Sequence, residues 1–168
     1  MDIGQPSSNV ESSDVDALDR DLGWAIGVVS RSYRRLAMAA VEQLPAGPRG
    51  YHLLCAVADG PPRSQLALAR RLGIDKTVMT YLVDDLEKAG MVVRRPDPLD
   101  RRARQVTITA NGFRALQRAR EQVQDAESEL LANLTAEAAD VLRSVMARLA
   151  RDAQEVAVQS GESAAPSC

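Results

Sequence analysis

The sequence predicts a mainly α-helical protein with one small β-hairpin, in the order α-α-α-α-β-β-α-α. Aromatics make up 3% of the 168 residues while hydrophobic residues make up 45%. The core must therefore be aliphatic, which disfavours sandwiches and barrels rich in aromatic and β-branched positions and rules out wholesale disorder. Apolar residues recur every three or four positions along stretches near both ends, the helical period. Between those stretches, two short helical segments stopped by glycine lead into a pair of β-type runs.

Residues 1–15 are Ser-, Asp- and Asn-rich and read as a disordered tail, as do residues 160–168. From Asp16 to about Leu44 the apolar residues are Leu22, Ile26, Val29, Tyr33, Leu36, Ala40 and Leu44, one stripe on a long helix. LPAGPRG breaks it. A short helix from about Pro48 to Ala58 follows, burying Tyr51, Leu54 and Val57, and Asp59-Gly60-Pro61-Pro62 ends it.

Ser64 suits the N-cap of QLALARRL, with Leu66, Ala69 and Leu72 expected inside. Gly73 stops that helix and Asp75 caps the next, KTVMTYLVDDLEKA, with Val78, Leu82, Leu86 and Ala89 expected inside and Gly90 at its end. MVVRRP and QVTIT flank the charged, Pro-broken DPLDRRAR and form a hairpin with a long tip. Thr109 caps a long helix, roughly 110–133, and Thr135 caps a last one, roughly 136–159. Their apolar positions are Phe113, Leu116, Val123, Leu130, Val141, Leu142, Val145, Leu149 and Val156.

Two short helices joined by a Gly turn and followed by a hairpin make a winged helix-turn-helix, here residues 47–109. Residues 16–46 and 110–159 are more helix than that small module can cover. A second copy of the chain is the simplest surface for their stripes, so both segments are expected to dimerise.

The net charge of −2 argues for no nucleic-acid partner by itself. Its distribution does. Residues 62–104 hold ten Lys+Arg and six Asp+Glu, a net +4, leaving −6 on the remainder. A charge run is usually a solvated face. Here it coincides with the helix-turn-helix and the wing, which raises nucleic-acid binding above that reading. Arginine outnumbers lysine 19 to 2. Genome composition accounts for such a bias, yet Arg still grips phosphate through a planar fork where Lys acts as a point charge.

Asp97-Pro98-Leu99-Asp100-Arg101-Arg102-Ala103-Arg104, running into Val106-Thr107-Ile108-Thr109 and Gly112, resembles the D-P-x-D-R-R-x-R wing of the MarR family of bacterial transcription regulators. Leu72-Gly73-Ile74-Asp75 and Leu82-Val83-Asp84-Asp85-Leu86-Glu87-Lys88-Ala89-Gly90 are similar to the recognition-helix stretch that leads into it. The resemblance spans residues 16–158. It implies an obligate, triangular homodimer on a pseudopalindromic operator, with recognition helices in successive major grooves and wings flanking them. Most such proteins are repressors that release DNA when a small molecule or an oxidant acts.

The residues make the same case chemically. The first turns of a recognition helix enter the groove, so Lys76, Thr77, Thr80 and Tyr81 are base-edge candidates, with Asp84 on the same side. Ser64 and Gln65 open the preceding helix and suit a phosphate. Arg102 is expected at the wing tip, in a narrow A·T-rich minor groove, with Asp100 fixing its guanidinium or that of Arg101; which arginine points inward stays open. Arg94, Arg95 and Arg104 are phosphate candidates on the wing stem, with solubility the competing reading for Arg94. Tyr81 and Asp85 stand where many family members carry basic residues. Tyr81 either stacks, meets a thymine methyl, or packs on the wing.

The resemblance places an effector between the dimerisation helices and the winged unit. Trp24, Tyr33, Tyr51, His52 and Cys55 fall near it, with core or dimer packing as the competing reading. His52, Cys55 and Asp59 are spaced like part of a metal site, but one histidine in the chain argues against metal, and neither metal nor cofactor is expected. Cys55 lacks a basic neighbour in sequence, so an inert thiol is favoured over an oxidation sensor. Cys168 falls in the tail, and two cysteines are too few for a disulfide framework.

No Walker loop, G-x-G-x-x-G, H-E-x-x-H or nucleophile elbow is present, so an enzyme is not expected. No apolar run is long enough to cross a membrane and no signal peptide opens the chain, which makes the cytoplasm the default expectation. The alternatives to an effector-relieved repressor of double-stranded DNA are a winged-helix protein-interaction module and a Cys55-based redox regulator.

Overall fold

The computed structural model describes residues 17–97 and 104–159. A 3-10 turn, Ala17–Arg20, precedes helix α1, Leu22–Val41. Asp21 divides them because its carboxylate accepts the Trp24 amide N–H at 2.7 Å, an N-cap inside the expected single helix. Helix α2, Gly47–Ala58, starts with Pro48 in its first turn, where proline's missing N–H costs nothing. Strand β1, Arg63–Ser64, leads into α3, Gln65–Leu72, and α4, Lys76–Lys88. Strands β2, Val92–Pro96, and β3, Arg104–Ile108, precede α5, Ala110–Leu130, and α6, Ala136–Gln159.

The mainly helical architecture with a small β wing is as the sequence predicts. One strand was not. β1 pairs antiparallel with β3 (Arg63 opposite Val106), so the sheet has three strands in the order β1-β3-β2. Two residues carry no alternation to read, and Ser64 was already accounted for as a cap. The predicted hairpin itself runs from Val92 opposite Ile108 to Pro96 opposite Arg104.

The helix-turn-helix joint is local chemistry. Ser64 Oγ accepts the Ala67 N–H at 3.2 Å and opens α3. Gly73 closes it at φ +62°, a left-handed conformation that a Cβ would penalise. Gly112, in the first turn of α5, lets that helix approach the wing. A Cβ there would fall 2.0 Å from the Met91 carbonyl oxygen.

The core lies where α2, α3, α4, α5 and the sheet meet. Leu53, Leu54, Leu68, Met79, Leu86, Leu116 and Val106 are fully buried. The helix faces are rotated from the predicted ones: Leu66, Val78 and Ala89 are exposed, and Leu68, Met79 and Val83 occupy the core. Adjacent apolar pairs (Leu66/Ala67/Leu68 and Val78/Met79) offer two overlapping stripes, and periodicity alone cannot choose between them.

Helix α1 lies along α5. The first half of its stripe faces outward, with Leu22 72% exposed and Ile26 and Val29 also exposed. Helix α6 goes further. From residue 136 to 156 only Ala139 is buried, while Val141, Leu142, Val145, Met146, Leu149 and Val156 face outward.

Candidate nucleic-acid interface

Helix α4 has two chemically opposite sides. Met79, Leu82, Val83 and Leu86 are buried, and Lys76, Thr77, Thr80 and Tyr81 all lie exposed over its first two turns. Tyr81 is 66% exposed, so its ring is not packed on the wing. Asp75 fixes the start of the helix: one carboxylate oxygen accepts the Thr77 N–H at 2.7 Å and the Val78 N–H at 3.3 Å. Those backbone hydrogen bonds hold its carboxyl below the usual aspartate range.

The residues expected to touch phosphate fall into two groups. Arg95 and Arg104 are exposed on adjacent strands at the end of the pairing where Pro96 lies opposite Arg104, away from the Val92–Ile108 end. Ser64, Gln65 and Arg94 are half-buried. The Arg94 guanidinium is committed within the protein. Nη1 is ion-paired to Glu87, Nη2 lies 2.5 Å from Asp84 Oδ1, and Nε donates to Gln65 Oε1 at 2.9 Å. Its backbone N–H also donates to Glu87 Oε1 at 2.9 Å, and that bond, helped by the guanidinium and outweighing burial, holds the Glu87 carboxyl below the usual range. Gln65 Nε2 reaches Thr80 Oγ1 at 3.4 Å, and Thr80 Oγ1 donates to the Lys76 carbonyl at 3.0 Å. Arg94, Gln65 and Asp84, which the sequence offered to DNA, therefore hold one another. Asp100, Arg101 and Arg102 lie outside the described residues.

A second cluster forms where α1, α2 and α5 meet. Tyr33 and Tyr51 are half-buried and both neighbour Cys55; burial is the main force pushing both phenols above their usual pKa. They are neutral hydroxyls at ordinary pH. Glu127 adds to the effect at Tyr33. Arg120 of α5 donates from Nη2 to both Asp59 oxygens, at 2.9 and 2.8 Å, and also neighbours Cys55. Of the five effector candidates, Tyr33, Tyr51 and Cys55 come together. Trp24 and His52 are exposed, His52 with its ring 5.7 Å from that of Tyr51. Sequence reasoning missed Arg120, and with it the cation beside Cys55, because 65 positions separate them. Among the described residues no group of His, Cys, Asp and Glu could hold a metal ion, and no helix is long and apolar enough to cross a membrane.

A family model described as MarR family matches residues 48–103, from the start of α2 into the wing. The putative transcriptional regulatory protein for the hcr operon of Thauera aromatica is 29% identical over 124 residues, 74% of this chain and 75% of the relative. The transcriptional repressor CouR bound to a 23-mer DNA duplex superposes with a TM-score of 0.71 at 28% identity, covering 79% of this chain and 94% of that one. The winged part of the chain, residues 48–103, is thus similar to the MarR family of transcriptional regulators. CouR from Rhodococcus jostii RHA1 bound to p-coumaroyl-CoA matches over 80% of this chain and 95% of that one, with a TM-score of 0.69 and 26% identity. The family and its structural neighbours are transcriptional regulators, not enzymes.

Proposed function

We propose that this chain is a MarR-family regulator, a homodimeric repressor that reads a pseudopalindromic operator and releases it when a small molecule binds. The observation that carries the reading is the two-sided α4. Its inner side is anchored by four buried apolar residues, leaving Lys76, Thr77, Thr80 and Tyr81 exposed on the first two turns. Lys76 supplies phosphate or guanine contact, Thr77 a hydroxyl for a base edge, and Tyr81 a ring for a thymine methyl. Thr80 acts with its hydroxyl already tied to Lys76 and Gln65. Arg95 and Arg104 meet phosphates beside the groove, and Arg101 or Arg102 enters the minor groove. The outward stripes of α1 and α6 cover those of a second copy.

The effector reading rests on the Tyr33–Tyr51–Arg120 cluster, which joins the dimerisation helices α1 and α5 to α2 at the edge of the winged unit. A second reading, redox control, draws on one observation, the Arg120 cation next to the Cys55 thiol. Peroxide that weakens DNA binding reversibly in the wild type and not in Cys55→Ser supports it. Equal responses of the two proteins dispose of it.

Fluorescence anisotropy with DNA flanking its own gene, against scrambled duplexes, tests the repressor reading. Specific binding that falls steeply with salt is expected. Weak binding that is equal on all sequences would instead favour a protein-interaction module.

A further inference from the structure

Arg94 is surrounded by acids on the face of α4 that turns toward the wing. Its side chain is 20% exposed, and its fork spans three elements: Glu87 and Asp84 on α4, Gln65 at the start of α3, and its own strand β2. The main chain joins in, since the Arg94 amide donates to the same Glu87 carboxylate. Nη2 also faces the Thr80 carbonyl at 3.5 Å. We infer that Arg94 is a positioning residue for DNA recognition rather than a phosphate contact: it locks the rotation of the recognition helix against the wing and the first helix of the motif.

This inference rests on the DNA-binding reading above and assigns a role within it. Three separate guanidinium nitrogens meet the two carboxylates and the amide oxygen, and an ammonium, with its donors on one nitrogen, cannot span the same three positions. The lock also accounts for the acids. Asp84 and Glu87 on a recognition helix would repel a polyanion if left bare, and Arg94 neutralises them internally. Gln65 then carries the constraint to Thr80, inside the reading surface. Wing and helix therefore approach the duplex as one body.

Two variants separate the roles. Arg94→Lys keeps the positive charge, so a phosphate contact survives it while the lock does not. Glu87→Gln removes a negative charge near DNA, which tightens binding if charge alone matters. It also turns an amide NH2 toward a guanidinium N–H, which opens the lock. Anisotropy on the flanking DNA across a salt series, with cooperative melting as the folding control, is expected to give a loss of roughly tenfold or more for each variant. The logarithmic salt slope should match the wild type, where a lost phosphate contact lowers it by about one. Hydrogen exchange at the Arg94 amide, measured on the free protein, should quicken in Glu87→Gln. Wild-type affinity in Arg94→Lys, or tighter binding by Glu87→Gln, overturns the inference. Should the wild type itself bind no DNA, the functional reading fails instead, and unaltered exchange at the Arg94 amide then refutes the lock independently.

Discussion

The winged unit and the terminal helices spend their apolar residues differently. Between Leu53 and Val106 the large aliphatic side chains converge on one core: Leu54, Leu68, Met79 and Leu86 are fully buried. In α6, Leu142, Val145, Met146 and Leu149 follow the same helical period and remain exposed. Periodicity identifies an apolar face in both. Only the fold distinguishes a face covered by its own chain from one that needs another surface. The first region is covered by its own chain, and the second presents the open face that the proposed dimer would fill.

Leu86→Ala strikes the self-contained region and should cost about 2–5 kcal/mol in chemical denaturation, whatever the protein concentration. Leu149→Asp strikes the other. It should halve the mass seen by light scattering and remove the concentration dependence of the melting temperature expected of an associating chain. An unchanged mass would mean that α6 is not a dimer surface. Within the winged unit, Asp75→Ala removes the cap of α4 and should lower the denaturation midpoint by less than Leu86→Ala does. Lys76→Ala should leave the melting curve in place and lower the logarithmic salt slope of DNA binding by about one. The smallest effect is acid sensitivity. Asp75 and Glu87 are held below their ordinary values of 3.8 and 4.5. Their contribution is complete above those values and is lost as the pH falls through the lower folded-state ones. Glu87→Gln should flatten that part of the pH–stability curve.

The features legible in the sequence are those written by neighbours in the chain. Ser64, Asp75 and Thr109 act as the expected N-caps, and Gly73 closes the helix-turn-helix joint at positive φ. The hairpin and both long C-terminal helices follow from the same local rules. The helix faces were less legible, because Val78 and Met79 compete for one inner side. Features made by distant partners were invisible. Arg94 meets Gln65 across 29 positions and Arg120 meets Asp59 across 61, and no spacing rule joins such pairs. The sequence shows the charge of Arg94, a phosphate candidate with solubility as the competing reading, and hides the two carboxylates that the fold brings to it.

Hydroxyl-radical oxidation of side chains, read by mass spectrometry with and without the flanking DNA, probes both regions in one experiment. Tyr81 should oxidise readily in the free protein and be shielded when DNA is bound. Met146 and Leu149 should be shielded in both states, each covered by the second copy. Tyr81 oxidised equally with saturating DNA, or Met146 as reactive as a solvent-exposed methionine, would contradict a dimer that reads DNA through the outer face of α4.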